Sequence, residues 1–418
     1  MSGGHAHAEY QDAGPDTAPP AVARALERWL EEHAYASCDP YDALTSPLLR
    51  PTMRIPLLAR TCMQIVKRSP VDLRPLLGIR PAVYTKSLSD LASAYFLRTR
   101  MGEPDAAARA RSFLDRLRDR RLPAVAGSAW GMDLPYVSRF VAATPETPNL
   151  FQSVNAANAF LDAWDLEQRP ADLEIALGFV EFLETGLGRL EESHERIAWR
   201  YYPGQDACVY NVNALVGALL LRLARATRRN DLDDLGRRTL RFVAAEQNAD
   251  GSWPYARGPR GRWVDGFHTG YVLEAFLAAE QAGVSDFVAA RERGVHFYVE
   301  RLFTPEGLPR YTTESTQPIE VQNCAQAIQT LAKLAACDGA YLERARTAAR
   351  AVVRALFRWT RRAPEPAGYF ILARAGSIPN RLPAVRWGQA PMLLALAHLE
   401  AAERVVRADP MHNQNGPQ

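Results

Sequence analysis

Two kinds of predicted helix alternate along the chain, and this alternation limits the fold more than any other feature does. One kind is rich in arginine and glutamate and carries a single apolar stripe, as in DLDDLGRRTLRFVAAEQ and YLERARTAARAVVRALFRW. Such a helix turns one face to a core and the other to water. The second kind, as in YNVNALVGALLL and VQNCAQAIQTL, has a polar start and is then apolar almost all round. A helix of the second kind is buried on most sides.

The second kind recurs six times at near-regular intervals. The helix starts are 54 to 65 residues apart, near Ser87, Gln152, Tyr210, His268, Gln322 and Arg386. A period of this length, built from helix pairs, is typical of a repeat architecture. Six buried helices alternating with six amphipathic ones can close into a double ring, so we predict an all-α (α/α)6 toroid. An open solenoid is the alternative, but it needs polar capping repeats and the sequence has no clear one.

The remaining segments predict loops and tails. Gly- or Pro-bearing turns followed by aromatic residues, such as DGSWPY (250–255) and EGLPRY (306–311), predict short β-hairpins in the loops. We expect a disordered tail over 1–20, a single toroid domain over 21–405 and a second disordered tail over 406–418. The segment from Ala21 to Ser69 is expected to complete the outer ring.

Composition excludes several classes of protein. The net charge of +3 is too small to indicate a nucleic-acid surface. No run reaches the roughly 18 apolar residues that span a bilayer, so we expect no integral membrane segment. The five cysteines are scattered and form no CxxC pair, which argues against a disulfide framework or a zinc cluster. We therefore expect a cytoplasmic protein without metal or cofactor, and the oligomeric state stays open.

In a double ring, the starts of the inner helices share one face, which we call the mouth. Unpaired backbone N–H groups and the positive ends of the helix dipoles point there, which suits anionic or hydroxyl-rich ligands. A sugar needs amides for its hydroxyls and aromatic rings for its faces, and both recur in the helix starts and in the loops before them. The predicted substrate-binding residues are Arg386, Trp387, Gln322, Asn323, Asn211, Gln152, Trp130, Trp253, Tyr255, Tyr202 and Tyr311.

Each of these residues also has a purely structural interpretation. Asn at a helix start is a common cap, and loop aromatics often pack into a core. The recurrence of polar residues at all six helix starts is what favours a ligand site.

His268 is the first catalytic candidate. Among the eight histidines, only His194 and His268 fall in a loop or at a helix start outside the tails. A histidine suits proton transfer near neutral pH. Asp265 could orient it, and Tyr271 would lie near the same face. A buried, hydrogen-bonded structural histidine is the alternative. The other catalytic candidates are Tyr210, Asp133 and Glu320.

Several stretches carry a resemblance to known families. QNADGSWPY matches the Q-x-x-D-G-S-W element of the triterpene-cyclase and prenyltransferase superfamily, and many sugar-active (α/α)6 enzymes have a similar turn. From about residue 39 to 400 the chain resembles a bacterial family encoded in polysaccharide-biosynthesis clusters and often labelled prenyltransferase-like. That resemblance rests on DPYDALTSPLL, KRSPVDLRPLLGI, AWGMDLPYVSR, VYNVNALVGALL, WVDGFHTGYVLEAF and VRWGQAPMLLAL. It implies an (α/α)6 toroid and a biosynthetic context.

One motif invites a different interpretation. DLDD (231–234) looks like the D-x-D-D acid motif of class II terpene cyclases. Here it opens an amphipathic helix, where carboxylates in the first turn favour the helix dipole. The sequence has no D-D-x-x-D metal motif.

These observations lead to one main hypothesis and two alternatives. The main one is a carbohydrate-active enzyme that acts on a uronic-acid-containing glycan or an activated sugar by proton transfer, as an epimerase, a lyase or a hydrolase. Arg386 would hold a carboxylate as a fork-shaped donor, and hydrolysis would need a carboxylate pair, first Asp133 and Glu320. The alternatives are a terpene-cyclase-like or prenyltransferase-like enzyme on an isoprenoid and a non-catalytic glycan-binding protein.

Overall fold

A computed structural model describes residues 17–69, 71–138, 141–362 and 364–408. Thirteen α-helices and nine short strands lie within these ranges. The first helix begins at Pro19 and the last ends at Ala408. Apart from 17–20 and 406–408, the two predicted disordered tails lie outside the described residues.

Six helices form an inner ring. In chain order they are α3 (Thr85–Arg100), α5 (Leu150–Glu167), α7 (Tyr210–Thr227), α9 (Gly266–Gln281), α11 (Val321–Cys337) and α13 (Ala390–Ala408). Each packs against the next along the chain, and α13 packs against α3. The ring is therefore closed, which confirms the predicted (α/α)6 toroid and rules out the open solenoid.

A second set of helices surrounds the first. It consists of α1 (Pro19–Glu32), α4 (Ala106–Arg118), α6 (Pro170–Glu181), α8 (Asn230–Ala245), α10 (Val288–Arg301) and α12 (Leu342–Leu356). Five of these outer helices pack on the inner helix that precedes them in the chain, and α1 packs on α13. Burial separates the two rings as the sequence pattern predicts. In α11, 14 of 17 residues are buried, whereas in α12 only 8 of 15 are.

The DLDD motif lies on the outer ring. Asp231 and Asp233 are in the first turn of α8, where the oxygens of Asp231 pair with Arg229 at 2.5 Å and those of Asp233 with Arg237 at 2.6 Å. Asp231 is largely open to solvent, and Asp233 is partly exposed. They serve the helix start and its surface ion pairs.

The strands form four small antiparallel sheets in the loops. They are β1 (Tyr136–Val137) with β2 (Ala142–Ala143), β3 (Arg189–Glu192) with β4 (Ile197–Trp199), β6 (Phe357–Arg361) with β7 (Ala367–Phe370), and the three-stranded β5 (Ile319–Glu320), β8 (Ala373–Ala375) and β9 (Ile378–Asn380). Short hairpins are thus present in the loops, but neither DGSWPY nor EGLPRY contains a named strand; the second has only an isolated bridge between Phe303 and Pro309. Gly251 in that turn has φ +90°, and a Cβ there would lie 2.4 Å from the carbonyl oxygen of Arg293.

Helix α2 (Pro56–Arg68) belongs to neither ring. It packs mainly on the 3₁₀ turns Asp42–Thr45 and Arg50–Arg54 and on β1. The expectation that Ala21–Ser69 completes the outer ring is therefore met by α1, while α2 takes another position, near the mouth.

Two chain-wide properties complete the description. Across the described ranges, no helix is both long enough and apolar enough to cross a membrane. All five cysteines are free thiols, from buried Cys324 to exposed Cys337.

Candidate active site

Three inner helices begin with a side-chain cap, and these caps shape the mouth. Asp265 accepts the backbone N–H of His268 at 2.7 Å, and Glu320 accepts that of Asn323 at 3.0 Å. Asn149 does the same at the start of α5. A capping side chain is held in place by the helix that it starts. The two carboxylates therefore have fixed positions at the starts of the neighbouring helices α9 and α11.

His268 and Asp265 form a hydrogen-bonded pair. The Nδ1 atom of His268 lies 2.6 Å from Oδ2 of Asp265, and Nε1 of Trp263 donates to the same oxygen at 2.9 Å. The His268 side chain is 23% exposed, whereas the Asp265 side chain is 9% exposed. Burial works against the charge of Asp265, but the charge of His268 and the hydrogen bonds from His268 and Trp263 outweigh it and lower the pKa of Asp265. The pair thus consists of an ionised, buried carboxylate and an imidazole that reaches the mouth.

Aromatic rings surround this imidazole. Tyr255 stacks on Trp263 with ring centroids 4.4 Å apart and meets His268 edge-on at 4.5 Å. The ring of Phe267 lies 4.8 Å from that of His268 and 6.2 Å from that of Trp387. The rings of Tyr255, Trp263, Phe267 and Trp387 therefore form a continuous surface from the loop before α9 to the start of α13. We call this surface the aromatic wall.

A second polar group lies beyond Trp387. The indole Nε1 of Trp387 donates to Glu320, and the Trp387 ring lies 5.2 Å from the ring of Tyr41. The Nζ atom of Lys67, near the end of α2, donates to the hydroxyl of Tyr41 at 2.6 Å and lies 5.9 Å from the ring centroid of Trp387. The mouth therefore holds an amine, a phenol and a carboxyl group next to Trp387, which is connected to His268 through the ring of Phe267.

Burial changes the acidity of this second group. It raises the pKa of Glu320 and lowers the pKa of Lys67, although the opposite charges of the two groups partly offset the effect. Burial, reinforced by the charge of Glu320, raises the pKa of Tyr311 to about 12. Both Glu320 and Lys67 are therefore shifted toward their neutral forms, a perturbation that is frequent at functional sites.

Arg386 has a carboxylate partner within the protein. Its Nε and Nη2 atoms donate to the two oxygens of Asp39 at 2.7 and 2.6 Å, and both side chains are almost fully buried. Arg386 and Trp387 lie in the π-helical turn Val385–Gln389 that leads into α13. This bidentate pair ties the segment before α2 to the start of α13.

A narrow cavity continues from the mouth along the axis of the ring. Its volume is about 40 Å³, enough for only a few water molecules. Side chains from five inner helices line it, namely Lys86, Asp90, Asn155, Tyr271, Gln322, Ala325, Gln326, Gln329, Pro391 and Leu394. Lys86 and Asp90 form a buried ion pair at 2.6 Å. Seven of these ten residues therefore have a polar or charged side chain.

Some predicted amides at the mouth lack a partner for one oxygen. The side-chain oxygens of Gln152, Asn211, Gln322 and Asn323 are buried without a hydrogen bond within the described chain. All four residues lie in the first turn of an inner helix, and each is at most 3% exposed. A buried polar atom without a partner is costly. Of the four residues, Gln322 is the one that lines the axial cavity.

The structure brings together part of the predicted site. His268, Asp265, Glu320, Trp387, Tyr255 and Tyr311 lie around the aromatic wall, and Tyr271 and Gln322 line the cavity beneath it. Burial raises the pKa of Tyr271 well above its ordinary value. The chain thus gathers inner-helix starts from different repeats at one rim, as the toroid requires.

Other predicted residues point elsewhere. The hydroxyl of Tyr210 donates to Glu246 at the end of α8, 2.7 Å away, and so faces the outer ring. Both oxygens of Asp133 are occupied, one by the backbone N–H of Thr85 at 2.5 Å and one by Arg120 at 2.9 Å.

Three predicted aromatic residues are core residues. Trp130 is fully buried, and its Nε1 donates to the carbonyl of Leu117 at 2.8 Å. Trp253 donates in the same way to Val243 at 2.9 Å. The hydroxyl of Tyr202 is buried against the sulfur of Met132 at 3.1 Å.

Sequence reasoning missed Asp39, Tyr41 and Lys67. The chain has 50 lysines and arginines, yet only Lys67, Lys86 and Lys333 are lysines. In the structure Lys86 pairs with Asp90 and Lys333 with buried Glu274, while Lys67 reaches Tyr41. The rarity of lysine was therefore a usable signal, because each one contacts a polar group inside the protein.

Comparison with known proteins gives the fold. No family model matches the chain, and no curated protein matches it. Among solved structures, it is similar to cellobiose 2-epimerase from Bacillus thermoamylovorans, with 13% identity, a TM-score of 0.60, and coverage of 77% of this chain and 88% of that one.

Two further solved structures are similar at the same level. A glycosyl hydrolase of family 88 from Bacteroides vulgatus has 11% identity and a TM-score of 0.54, with coverage of 86% and 99%. A polysaccharide lyase has 11% identity and a TM-score of 0.55, with coverage of 80% and 92%. These likenesses show a shared (α/α)6 architecture.

Proposed function

We propose that this chain is a carbohydrate-active enzyme that moves a proton on a sugar bound at the mouth of the ring. The observation that carries this proposal is the His268–Asp265 pair, in which a partly exposed imidazole is held at 2.6 Å by a buried carboxylate among aromatic rings. Buried carboxylates that fix a histidine are a recurrent way of preparing a general base.

His268 serves as the base in this proposal. Because Asp265 accepts the proton on Nδ1, the Nε2 atom carries the free lone pair. It removes a proton from a sugar carbon next to a carbonyl or carboxyl group. A positioned general base typically contributes a factor of about 10² to 10⁴ to the rate.

The group beyond Trp387 supplies the acid. Glu320 has a raised pKa and therefore holds a proton more readily than an ordinary glutamate. It returns a proton to the opposite face of the carbanion in an epimerisation, or to the oxygen that leaves as the C–O bond breaks in a β-elimination. Lys67 and Tyr41 form the alternative donor on that side.

A saccharide fits the surfaces between these groups. The rings of Tyr255, Trp263, Phe267 and Trp387 offer faces on which a sugar can stack, and the amide of Gln322 lines the adjoining cavity. The epimerase and the lyase that share the fold act on saccharides by their names. A role in polysaccharide biosynthesis is compatible with this chemistry.

One detail argues against hydrolysis by the pair Asp133 and Glu320. Hydrolysis needs two carboxyl groups that flank the bond to be cut, but the partners of Asp133 are Thr85 and Arg120, and within the described ranges neither contacts Glu320 or His268.

Arg386, our first choice for a uronate carboxylate, is already held in a buried bidentate pair with Asp39. If the substrate is a uronate, Lys67, which has no carboxylate within salt-bridge distance in the described chain, is the cation to test first.

The isoprenoid alternative finds less support. A cyclase needs an apolar chamber large enough for a folded isoprenoid chain, whereas the axial cavity of about 40 Å³ is lined by Lys86, Asp90 and four amide side chains.

The test is proton exchange in D₂O followed by NMR. Wild-type protein is incubated separately with free aldoses, disaccharides and uronate oligosaccharides. We expect deuterium at one sugar carbon, with an epimer signal or an unsaturated product. His268→Ala should abolish this, while His194→Ala, in the exposed turn between β3 and β4, should leave it unchanged. Saccharide binding without exchange in any arm would support the glycan-binding alternative instead.

A further inference from the structure

Exposed apolar side chains are concentrated in one short segment. Within the described residues, eleven large hydrophobic side chains are exposed, and seven of them lie between residues 48 and 76, namely Leu48, Ile55, Leu57, Leu58, Ile65, Val71 and Leu76. Their exposed fractions run from 44% to 81%. Single exposed hydrophobic residues are normal, but seven of them within one short segment indicate an interaction surface. We call the segment 48–80 the flap.

Helix α2 has two apolar faces, and only one of them is buried. Its inner face, Ala59, Met63 and Val66, is buried against the protein. Leu58 and Ile65, seven residues apart and so on one face, are 44% and 57% exposed on another side of the helix. The helix thus has a second apolar face that the described protein does not cover.

The flap is also strongly cationic. Apart from Lys67, which turns to Tyr41, it contains six arginines against a single acid, Asp72, whereas the whole chain carries only +3. Arg74 is neutralised locally, since it pairs with Asp42 at 2.9 Å and with Asp72 at 3.2 Å. The other arginines, Arg50, Arg54, Arg60, Arg68 and Arg80, flank the exposed apolar side chains.

We propose that the flap is a docking surface for an anionic lipid bilayer, with α2 lying in the plane of the membrane interface. A helix with exposed Leu and Ile beside arginines has the composition of an interfacial helix, in which apolar side chains enter the acyl boundary and cations meet anionic headgroups. A second copy of this chain fits less well. A two-fold contact would place this cationic surface against itself, and like charges oppose such an interface.

The docking surface adjoins the mouth. Lys67 is in the last turn of α2, its carbonyl accepts from Asn380 at 2.9 Å, and its amine reaches Tyr41. Ile378, in the same hairpin as Asn380, is 63% exposed and extends the apolar surface. A protein docked in this way presents its mouth close to the membrane surface. The inference is independent of the reaction proposed for the mouth.

The experiment is co-sedimentation of the full chain with vesicles. One set consists of phosphatidylcholine alone, and the other of equal parts of phosphatidylcholine and phosphatidylglycerol. We expect binding to the anionic set, weakened by salt because the lipid charge is screened. Arg54→Gln and Arg68→Gln should each lower the partition coefficient about fivefold, as expected for about 1 kcal/mol per surface cation. The pair Leu58→Gln and Ile65→Gln should abolish binding.

Matched controls come from the opposite rim of the ring. Val405 is 51% exposed and Arg407 is 72% exposed near the end of α13, so Val405→Gln and Arg407→Gln should bind as the wild type does. All variants should keep the wild-type thermal unfolding midpoint. Absence of binding to anionic vesicles would overturn the proposal. So would a wild-type dimer, measured without lipid by sedimentation equilibrium, that Leu58→Gln and Ile65→Gln convert to a monomer.

Discussion

The Nδ1 atom of His268 lies 2.6 Å from Oδ2 of Asp265, and the other oxygen of that carboxylate caps the helix on which His268 sits. One side chain therefore fixes both the backbone and the ring of His268. Because the same carboxylate makes both contacts, a substitution at Asp265 should change both the activity and the stability of the protein.

Asp265→Asn should inactivate the protein without unfolding it. The oxygen of asparagine can still cap α9, but its amide donates where the carboxylate accepted, and so it favours the His268 tautomer with the proton on Nε2. We expect turnover to fall by a factor of about 10² to 10⁴, measured as deuterium exchange on the substrate found in the NMR screen. Trp263→Phe removes only the hydrogen bond from Trp263 to Asp265 and should reduce turnover far less. Equal losses in the two variants would contradict this role.

The stability contribution of Asp265 should depend on pH. Its pKa is lowered in the folded protein, so its contribution is present above the ordinary aspartate pKa of about 3.9 and disappears as the pH falls through the lowered value. The difference in unfolding free energy between wild type and Asp265→Asn should therefore be largest near neutral pH and shrink in acid. Urea unfolding at a series of pH values measures it. A difference that stays constant into acid would show that the ionised form is not favoured.

Glu320 should show the opposite trend, because burial raises its pKa. Its favourable contribution is present below the ordinary glutamate pKa of about 4.3 and is lost as the pH rises through the raised value. Glu320→Gln should therefore gain stability relative to the wild type as the pH rises from 4 toward neutral, seen in thermal unfolding midpoints. Glu314, which is exposed, is replaced in the same way as the control for a solvent-facing position. A parallel shift in both variants would count against a buried carboxyl group.

The parts of the fold that could be predicted are those set by local periodicity. Inner and outer helices differ in how much of their circumference is apolar, and this can be read along the sequence. The Asp265–His268 relation was also accessible, because a cap and the third residue of its helix are close in the chain.

The parts that could not be predicted depend on direction and on distant partners. A residue at a helix start can turn toward the axis or toward the outer ring, and Tyr210 turns outward to Glu246. Arg386 finds its carboxylate in Asp39, 347 residues away. Lys67 arrives from a helix outside the six repeats, which no repeat pattern could place.

The turn that contains Gly251 should tolerate no side chain. Its φ of +90° is strained for any L residue, and a Cβ would also meet the Arg293 carbonyl oxygen at 2.4 Å. Gly251→Ala should lose at least about 1–3 kcal/mol of unfolding free energy. Gly258→Ala is the matched control, since its φ is +92° with no atom within 4 Å, so it should show the conformational cost alone. A loss at Gly251 no larger than that at Gly258 would contradict the close approach of this turn to the Arg293 carbonyl in α10.

The buried Arg386–Asp39 pair should behave as one unit. Removing one partner leaves the other charge buried and unpaired, so Asp39→Leu and Arg386→Met should each cost about 3–5 kcal/mol in urea unfolding. Replacing both with apolar side chains removes both desolvation penalties, and so the double variant should be more stable than either single one. Because the pair joins the segment before α2 to the start of α13, limited proteolysis should cut the single variants first within residues 40–80. If the single losses simply add in the double variant, the two side chains are not coupled in the folded protein.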